Sequence, residues 1–574
     1  MIIKFDVIKF SKQFFIFFVS SILVLSSATY ADLNDGTLLG ISTLLDSGDP
    51  SDKLDIVFIG DGFTDSEQDL FNDKVDQAVS FFLDTHPFMA LRCAFNIHRI
   101  NVASRESGTD IPGTCGVDDN GDPIPSPRPA QSRATALNTT YCGGTVFRCL
   151  GSSDFTLIFN YTVLAPGSNF IVVLVNDKEN GGCRWGTTTF VAISSRFDKV
   201  VVHELGHAIA DLADEYDADD PGKTTYSGPE PGRTNITIET NRGSLKWGDL
   251  VLNTTLIPTT TCDDPDFSGA ADLVGTFEGA NGEYKCGIYR PQNTCRMRRS
   301  EEAFCAVCRR AIIEEVKDKL CDPLGVYLTE LHIKNDHDGW SRGKGDIYFN
   351  YTLESNTESI SGRWPASGDV GIGTGSTRSL ENYFVGLVPE PRSGESGSFG
   401  VKVRDNDWPD GDDKIREDAT TNFTGVSNID IDERDYHLQG QIRPGTFKVL
   451  FDFIHIKNDM DGALAGAGDV FINYRISNAE FEVKGRWPAS GNKKIDTRET
   501  AEIALLAAAI ARPTDSNQLS IHVEIWDDDG WLTFGDDNIG EDTFTFGAAS
   551  NFGANTYVHV QNQENYRLTL SIID

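Results

Sequence analysis

The sequence predicts a multidomain chain, with an α/β domain in its first half followed by two tandem all-β sandwich domains. Three observations carry this expectation. Apolar runs of strand length alternate with helical stripes as far as Leu212. In the second half a block of sequence recurs at an offset of 123 residues. All eleven cysteines fall between Cys93 and Cys321. The expected boundaries are a leader at 1–31, a linker at 32–50, the α/β domain at 51–322 and the two all-β repeats at 323–447 and 448–574.

The chain opens with Lys4, Lys9 and Lys12, a 12-residue apolar run from Phe14 to Leu25 and the short stretch Ser26 to Ala31. That is the pattern of a secretory signal peptide cleaved near Ala31, since a membrane-spanning helix needs ~20 apolar residues. No other long apolar segment follows, so a soluble, exported protein without a membrane span is expected. The net charge of −36 argues against nucleic acid or an anionic membrane as an electrostatic partner.

Leu54 to Ile59 is a continuous apolar run ending in Gly60-Asp61-Gly62, which reads as a buried strand and a turn. Thr64 and Glu67 make a capping-box pattern ahead of a helix whose stripe is Phe71, Val75, Ala78, Val79 and Phe82. Further strands are expected at Phe95 to Val102, Phe155 to Phe159, Phe170 to Val175 and Thr187 to Ser194.

His203-Glu204-Leu205-Gly206-His207 comes next. Val202, Leu205, Ile209, Leu212 and Tyr216 recur at i, i+3, i+7, i+10 and i+14, an amphipathic stripe that leaves both histidines off it, toward a cleft. Four-residue spacing on a helix puts both imidazoles on one face for a single zinc ion, with Glu204 beside the attacking water. The bland alternative is a surface helix with two polar positions. A hydrolytic zinc site takes three protein ligands, and Asp211, Asp214, Glu215 and Asp217 all follow closely. On a straight helix, position 214 would lie ~10 Å beyond His207, so the helix must turn if Asp214 or Glu215 is to reach the ion. Asp tolerates the left-handed conformation, which makes Asp211 a candidate for the turn. The interruption from Asn176 to Gly186 reads either as an edge strand that aligns a peptide by main-chain hydrogen bonds or as a plain hairpin. Tyr216, Tyr284 and Tyr289 are candidate oxyanion donors, though such tyrosines more often serve packing.

The segment His203 to His207 followed by Leu212-Ala213-Asp214-Glu215-Tyr216 resembles that of the IgA-peptidase-like zinc metallopeptidases. Similar segments occur in the same order at Asp55 to Thr64, Asn96 to Val102 with Glu106-Ser107-Gly108, Val175-Asn176-Asp177, Phe277 to Ala280, Tyr289-Arg290-Pro291, Cys295 to Arg298 and Phe304 to Cys308, so the resemblance spans residues 50–320. It implies a metzincin-like α/β fold and an exported zinc endopeptidase with Glu204 as general base. It also implies His203, His207 and Asp214 as zinc ligands, Glu215 as the reserve, and Met297 as the methionine of the turn beneath the metal. Asp211 stands where the family has a glycine, and Asp214 lies one residue later than the usual metzincin spacing.

In an exported chain the cysteines are expected to pair, with one left over from the odd count. Cys305-Ala306-Val307-Cys308 could open a zinc ribbon, but no second pair with matching spacing follows, so disulfides are the favoured reading.

His332 to Gly339 recurs as His455 to Gly462, and Gly362 to Gly368 recurs as Gly485 to Gly491. Alternation in Asp346 to Tyr351 and in Asp469 to Tyr474 reads as antiparallel sandwich strands. From Pro323 onward 41 acidic residues stand against 22 basic ones, mostly Asp in Gly-rich loops. Asp405, Asp407, Asp412 and Asp413 in the first repeat correspond to Asp527, Asp529, Asp536 and Asp537 in the second, with Asp336, Asp338, Asp459 and Asp461 able to complete each cluster. Clustered loop carboxylates are hard oxygen ligands for Ca2+, and these segments resemble the calcium loops of synaptotagmin-type sandwich modules. Asp-rich turns without an ion are the alternative. Two functions follow as expectations. One is an exported zinc endopeptidase acting on proteins or peptides, with sandwiches that stabilise it or bind a surface or glycan. The other is a secreted calcium-dependent binding or adhesion protein whose peptidase-like domain is inert.

Overall fold

In the computed structural model, residues 36–573 are described except 119, 218–224, 265–266, 320–322, 337–343, 356–358, 390, 392–394, 408–410, 416–417, 446, 459–467, 479–480, 511–512, 514–517, 529–536 and 548–557. The expected leader at 1–31 lies outside them, as do Asp338, Asp459 and Asp461. Strands β1 (Gly36–Leu45), β2 (Leu54–Asp61), β3 (Phe95–Ser104), β4 (Phe170–Val175), β5 (Gly182–Trp185) and β6 (Thr188–Ala192) form one sheet in the order β1-β3-β2-β4-β6-β5. The four central strands are parallel, while β1 and β5 close the two edges antiparallel. β2, β4 and β6 are buried almost throughout, which is why they read as unbroken apolar runs.

Two expectations change here. Residues 36–45, assigned by sequence to a linker, are the edge strand β1. Most of its side chains are exposed, so it joins the sheet through its backbone and leaves little hydrophobic pattern to read. Phe155 to Phe159, expected as a strand, opens helix α2 (Phe155–Thr162). Asp154 caps it by accepting the Thr156 N–H at 2.9 Å, and Ile158, Tyr161 and Thr162 turn inward. Aromatic and β-branched residues favour a strand locally, but the cap and the inward face decide otherwise.

Helix α1 (Gln68–Asp84) follows the expected capping box, with the Thr64 N–H and hydroxyl both donating to Glu67 Oε2 at 2.9 Å. It packs against helix α3 (Phe197–Ala210), which carries the histidine pair. Val202, Leu205, Ile209 and Leu212 are buried as the stripe requires. Tyr216 leaves the stripe, because the helix ends at Ala210 and Asp211 turns the chain with φ +49° and ψ 35°. Helix α4 (Ala306–Val316) packs beside α3.

Disulfides join Cys115 to Cys142, Cys149 to Cys183 and Cys262 to Cys286, and Cys93 is also disulfide-bonded. Cys305 and Cys308, expected in disulfides, are instead buried free thiols together with Cys295. The physical reason is local. Cys305 caps α4 and Cys308 lies in its first turn, so both face inward against the 295–297 turn.

After residue 322 the described chain is built of strands. Pro323–Ile333, Ser376–Pro389, Tyr436–Pro444 and Ser427–Asp432 form one sheet, and Gly345–Glu354, Ser359–Trp364, Gly397–Asp407 and their neighbours form another. Both supply side chains to one core, including Val326, Leu331, Phe349 and Val401. The strand order recurs 123 residues on, where Gly468–Ser477 occupies the place of Gly345–Glu354. The later set also abuts the first sheet's core, which Leu450 and Ile573 enter. Among the described residues, no helix is long and apolar enough to cross a membrane.

Candidate metal centre

Helical spacing brings His203 Nε2 and His207 Nε2 to 3.2 Å from one another, and the turn at Asp211 returns Asp214 so that its Oδ1 lies 3.2 Å from each. Three ligands on one tetrahedral zinc with bonds of ~2.05 Å would sit about 3.3 Å apart. Each imidazole is held from behind. His203 Nδ1–H donates to the Arg296 carbonyl at 2.8 Å, and His207 Nδ1–H donates to the Leu212 carbonyl at 2.7 Å. With both Nδ1 atoms protonated, two nitrogen lone pairs and a carboxylate oxygen point at one another. That is a repulsive arrangement unless a proton or a cation sits between them. Asp214 Oδ1 is buried and has no other donor, so the three residues fit a divalent metal.

Without a cation, protons fill the role. Burial pushes His203 down, but the hydrogen bond and charge of Asp214 outweigh it and raise its pKa to about 9. Burial likewise opposes the Asp214 carboxylate, yet the two imidazoles hold it well below the usual range.

Glu204 is 6% exposed, and burial raises its carboxyl above the ordinary range, although His203 and His207 pull it the other way. It borders a cleft of about 300 Å³ that is also lined by Gly182, Arg184, Asp214, Tyr216 and Arg233. The Asn176 to Gly186 interruption contains β5, which is both the edge strand of the sheet and one arm of a hairpin with β6. A Cβ on Gly182 would lie 2.8 Å from Glu204 Oε1, so only glycine lets the strand approach the carboxylate this closely. Of the three tyrosines, Tyr216 lines the cleft and hydrogen-bonds Asp214; that charge, then burial, raises its hydroxyl above the phenol range. Tyr284 and Tyr289 are not among the cleft-lining residues.

The floor of the site comes from residues 295–304. Met297 is fully buried, and Gly206 of α3 packs so closely that a Cβ there would lie 3.0 Å from both Met297 Sδ and Phe304 Cε1. Glu215 does not join the histidines. Its backbone N–H donates to the Met297 carbonyl, and its side chain turns to Cys305, Cys308 and Asn235. Arg184 and Arg233 escaped the sequence reading. Both pair with Asp211, and Arg233 Nη1 also donates to the Asp211 carbonyl at 3.0 Å, so they brace the turn. No spacing pattern in the sequence links them to it.

In the second half, Asp405 Oδ1 accepts the Asp346 N–H at 2.7 Å and Asp527 Oδ1 accepts the Asp469 N–H at 2.6 Å, both carboxylates being buried at equivalent positions. Asp529 and Asp536 lie outside the described residues, as do the side chains of Asp407, Asp412, Asp413 and Asp537.

The IgA Peptidase M64 family model matches residues 42–271 and 266–316. No curated protein matches the chain. Among solved structures, 44% of the chain aligns with 56% of a chain of Extended-Synaptotagmin 2, at 8% identity and a TM-score of 0.19. A further alignment pairs 43% of the chain with 32% of human GIVD cytosolic phospholipase A2, at 9% identity and a TM-score of 0.18. The chain thus spans about half of the one (56%) and a third of the other (32%). The match over residues 42–316, which carry the histidine pair, Asp214 and the cysteine cluster, supports an IgA-peptidase-like metallopeptidase family for this part of the chain.

Proposed function

We propose that this chain is an exported zinc endopeptidase of metzincin-like build, acting on proteins or peptides. The observation that carries the reading is the convergence of His203 Nε2, His207 Nε2 and Asp214 Oδ1 at mutual distances of 3.2 Å. Bound there, zinc would polarise the scissile carbonyl and lower the pKa of the attacking water toward ~7.

The chain's own residues do the rest. The Arg296 and Leu212 carbonyls keep both imidazoles in the tautomer that offers Nε2. Glu204 takes the proton of the attacking water as the carbon–oxygen bond forms, then passes it to the amine nitrogen as the carbon–nitrogen bond breaks. Its raised carboxyl pKa suits that exchange, since a carboxylate closer to neutrality is a stronger base for the water proton and holds it until the amine takes it. β5 runs beside Glu204 and offers main chain for an extended peptide. Tyr216, at the rim and linked to Asp214, is the oxyanion donor the geometry favours.

The strands after residue 322 are proposed to form two sandwich domains, with boundaries at 323–447 and 448–574, that bind calcium at the strand ends carrying Asp405 and Asp527, which lie in strands and not in the loops expected from sequence, and present a surface or glycan site. Glu204→Gln tests the central claim. It should lower kcat on a protein substrate by about 10²- to 10⁴-fold while leaving zinc content unchanged. Unchanged proteolysis would overturn the peptidase reading and favour the binding protein with an inert first domain.

A further inference from the structure

We propose that Glu215, Cys295, Cys305 and Cys308 form a second, closed zinc site that locks the floor of the histidine site. Their four ligand atoms all lie within 4.8 Å of one another. Cys295 Sγ and Cys308 Sγ are 3.7 Å apart, and Glu215 Oε1 lies 3.6 Å from Cys305 Sγ and 3.1 Å from Cys308 Sγ. A tetrahedral zinc with sulfur at ~2.3 Å and oxygen at ~2.1 Å would put sulfurs about 3.75 Å apart and sulfur about 3.6 Å from oxygen.

A second observation is independent of those distances. Glu215 is 0% exposed, and its Oε2 has no hydrogen-bond partner. Asn235 donates to Oε1 alone, and a buried carboxylate with one oxygen unpartnered is unfavourable unless neutralised by a proton or a cation. The sulfurs, for their part, are provided for as anions. The backbone N–H groups of Met297 and Cys305 point at Cys295 Sγ at 3.4 and 3.3 Å, and that of Cys308 points at Cys305 Sγ at 3.4 Å. Cys305 also stands at the N-terminus of the 11-residue helix α4, where the helix dipole favours negative charge. Buried Arg290 lies near enough to Glu215 and Cys295 for its charge to act on both, which offsets part of the excess negative charge of three thiolates and a carboxylate.

The rival arrangement is a disulfide, but three cysteines cannot all pair, and any pairing leaves a thiol against an uncompensated carboxylate. Metal binding satisfies all four groups at once, with the thiols entering as thiolates and releasing their protons to solvent. Three chain segments would be tied together: Glu215, next to Asp214; Cys295, which precedes the Arg296 carbonyl that holds His203; and the start of α4. Glu215 and the cysteines would therefore be positioning residues for the histidine site.

The test is metal analysis of the full-length chain. The proposal expects two zinc ions per chain in the unaltered protein, one in the His203→Ala/His207→Ala variant and one in Cys305→Ser. Cobalt(II) exchanged into the histidine variant should show an intense thiolate-to-metal charge-transfer band, and denatured, chelated protein should titrate three free thiols. No metal and no charge-transfer band in the histidine variant, or a single titratable thiol, overturns the proposal while leaving the histidine site standing. One zinc in both the unaltered protein and the histidine variant would support this site and overturn the catalytic reading. Should Cys305→Ser not fold, the cobalt spectrum of the histidine variant and the thiol count of the unaltered protein decide.

Discussion

Asp214 and Glu215 are neighbours in sequence yet face two different clusters. Asp214 Oδ1 lies 3.2 Å from both histidine Nε2 atoms, while Glu215 Oε1 lies 3.1 Å from Cys308 Sγ. Beyond the Asp211 turn the segment is neither helix nor strand, and its two adjacent carboxylates leave it toward different sites. One short stretch of chain thereby couples the cleft to the buried cysteines behind it.

That division predicts different losses. Asp214→Asn should remove the metal held by the histidines and cut activity by ~10²-fold or more, since even outer partners of a metal ligand are worth 10- to 100-fold. Its melting temperature in metal-free buffer at neutral pH should fall, because the pairing of Asp214 with the imidazoles is lost. Glu215→Gln should lower the melting temperature of the protein as isolated. Measuring metal content, proteolysis and thermal unfolding on both variants checks this. A loss of proteolysis from Glu215→Gln as large as that from Asp214→Asn would contradict it.

Asp211 holds a left-handed conformation that costs a non-glycine residue ~1–2 kcal/mol, partly offset by its exposed pairs with Arg184 and Arg233 at up to ~1 kcal/mol each. Asp211→Gly should therefore leave stability within about 1 kcal/mol and retain zinc. Asp211→Val loses the pairs and adds β-branched strain, so it should destabilise by about 2 kcal/mol and weaken metal binding through misplaced Asp214. Denaturant unfolding with zinc titration separates the two.

Asp452 lies fully buried between His86, Arg309 and Ser571, and its contacts with His86 and Arg309 join the second half of the chain to the first. Burial raises its carboxyl, but the charges of Arg309 and His86 prevail and hold it below the ordinary aspartate value of 3.8. A depressed carboxyl stabilises the fold fully above the unfolded pKa, and that contribution fades as pH falls through the folded one. Asp452→Asn should cost about 3–5 kcal/mol at neutral pH by leaving Arg309 buried and unpaired. The gap in melting temperature between variant and parent should narrow below about pH 3.8 as the parent's carboxylate protonates. A gap constant from about pH 7 to about pH 3 would contradict the linkage.

If the strand ends carrying Asp405 and Asp527 bind calcium, mass action should stabilise the fold by ~2.7 kcal/mol at a concentration 100 times Kd, read as a rise in melting temperature. Asp405→Asn with Asp527→Asn should abolish the rise. No shift at millimolar calcium would remove the calcium proposal.

The sequence by itself determined the local features. Leu54–Asp61 reads as a buried strand because a strand covered on both faces has no polar side, and the histidine spacing is set by the helical repeat. Asp211 was legible as a turn because few residues tolerate positive φ. What needed the tertiary structure was every relationship between distant segments. β1 enters the sheet through backbone pairing, which leaves no side-chain pattern. Met297 and α4 decide that Asp214 lies against the histidines while Glu215 turns to the cysteines, and the free cysteines are told from disulfides only by where Cys295, Cys305 and Cys308 meet. Periodicity reports which face of an element is apolar. It carries no information about which other element that face, or a polar side chain beside it, will meet.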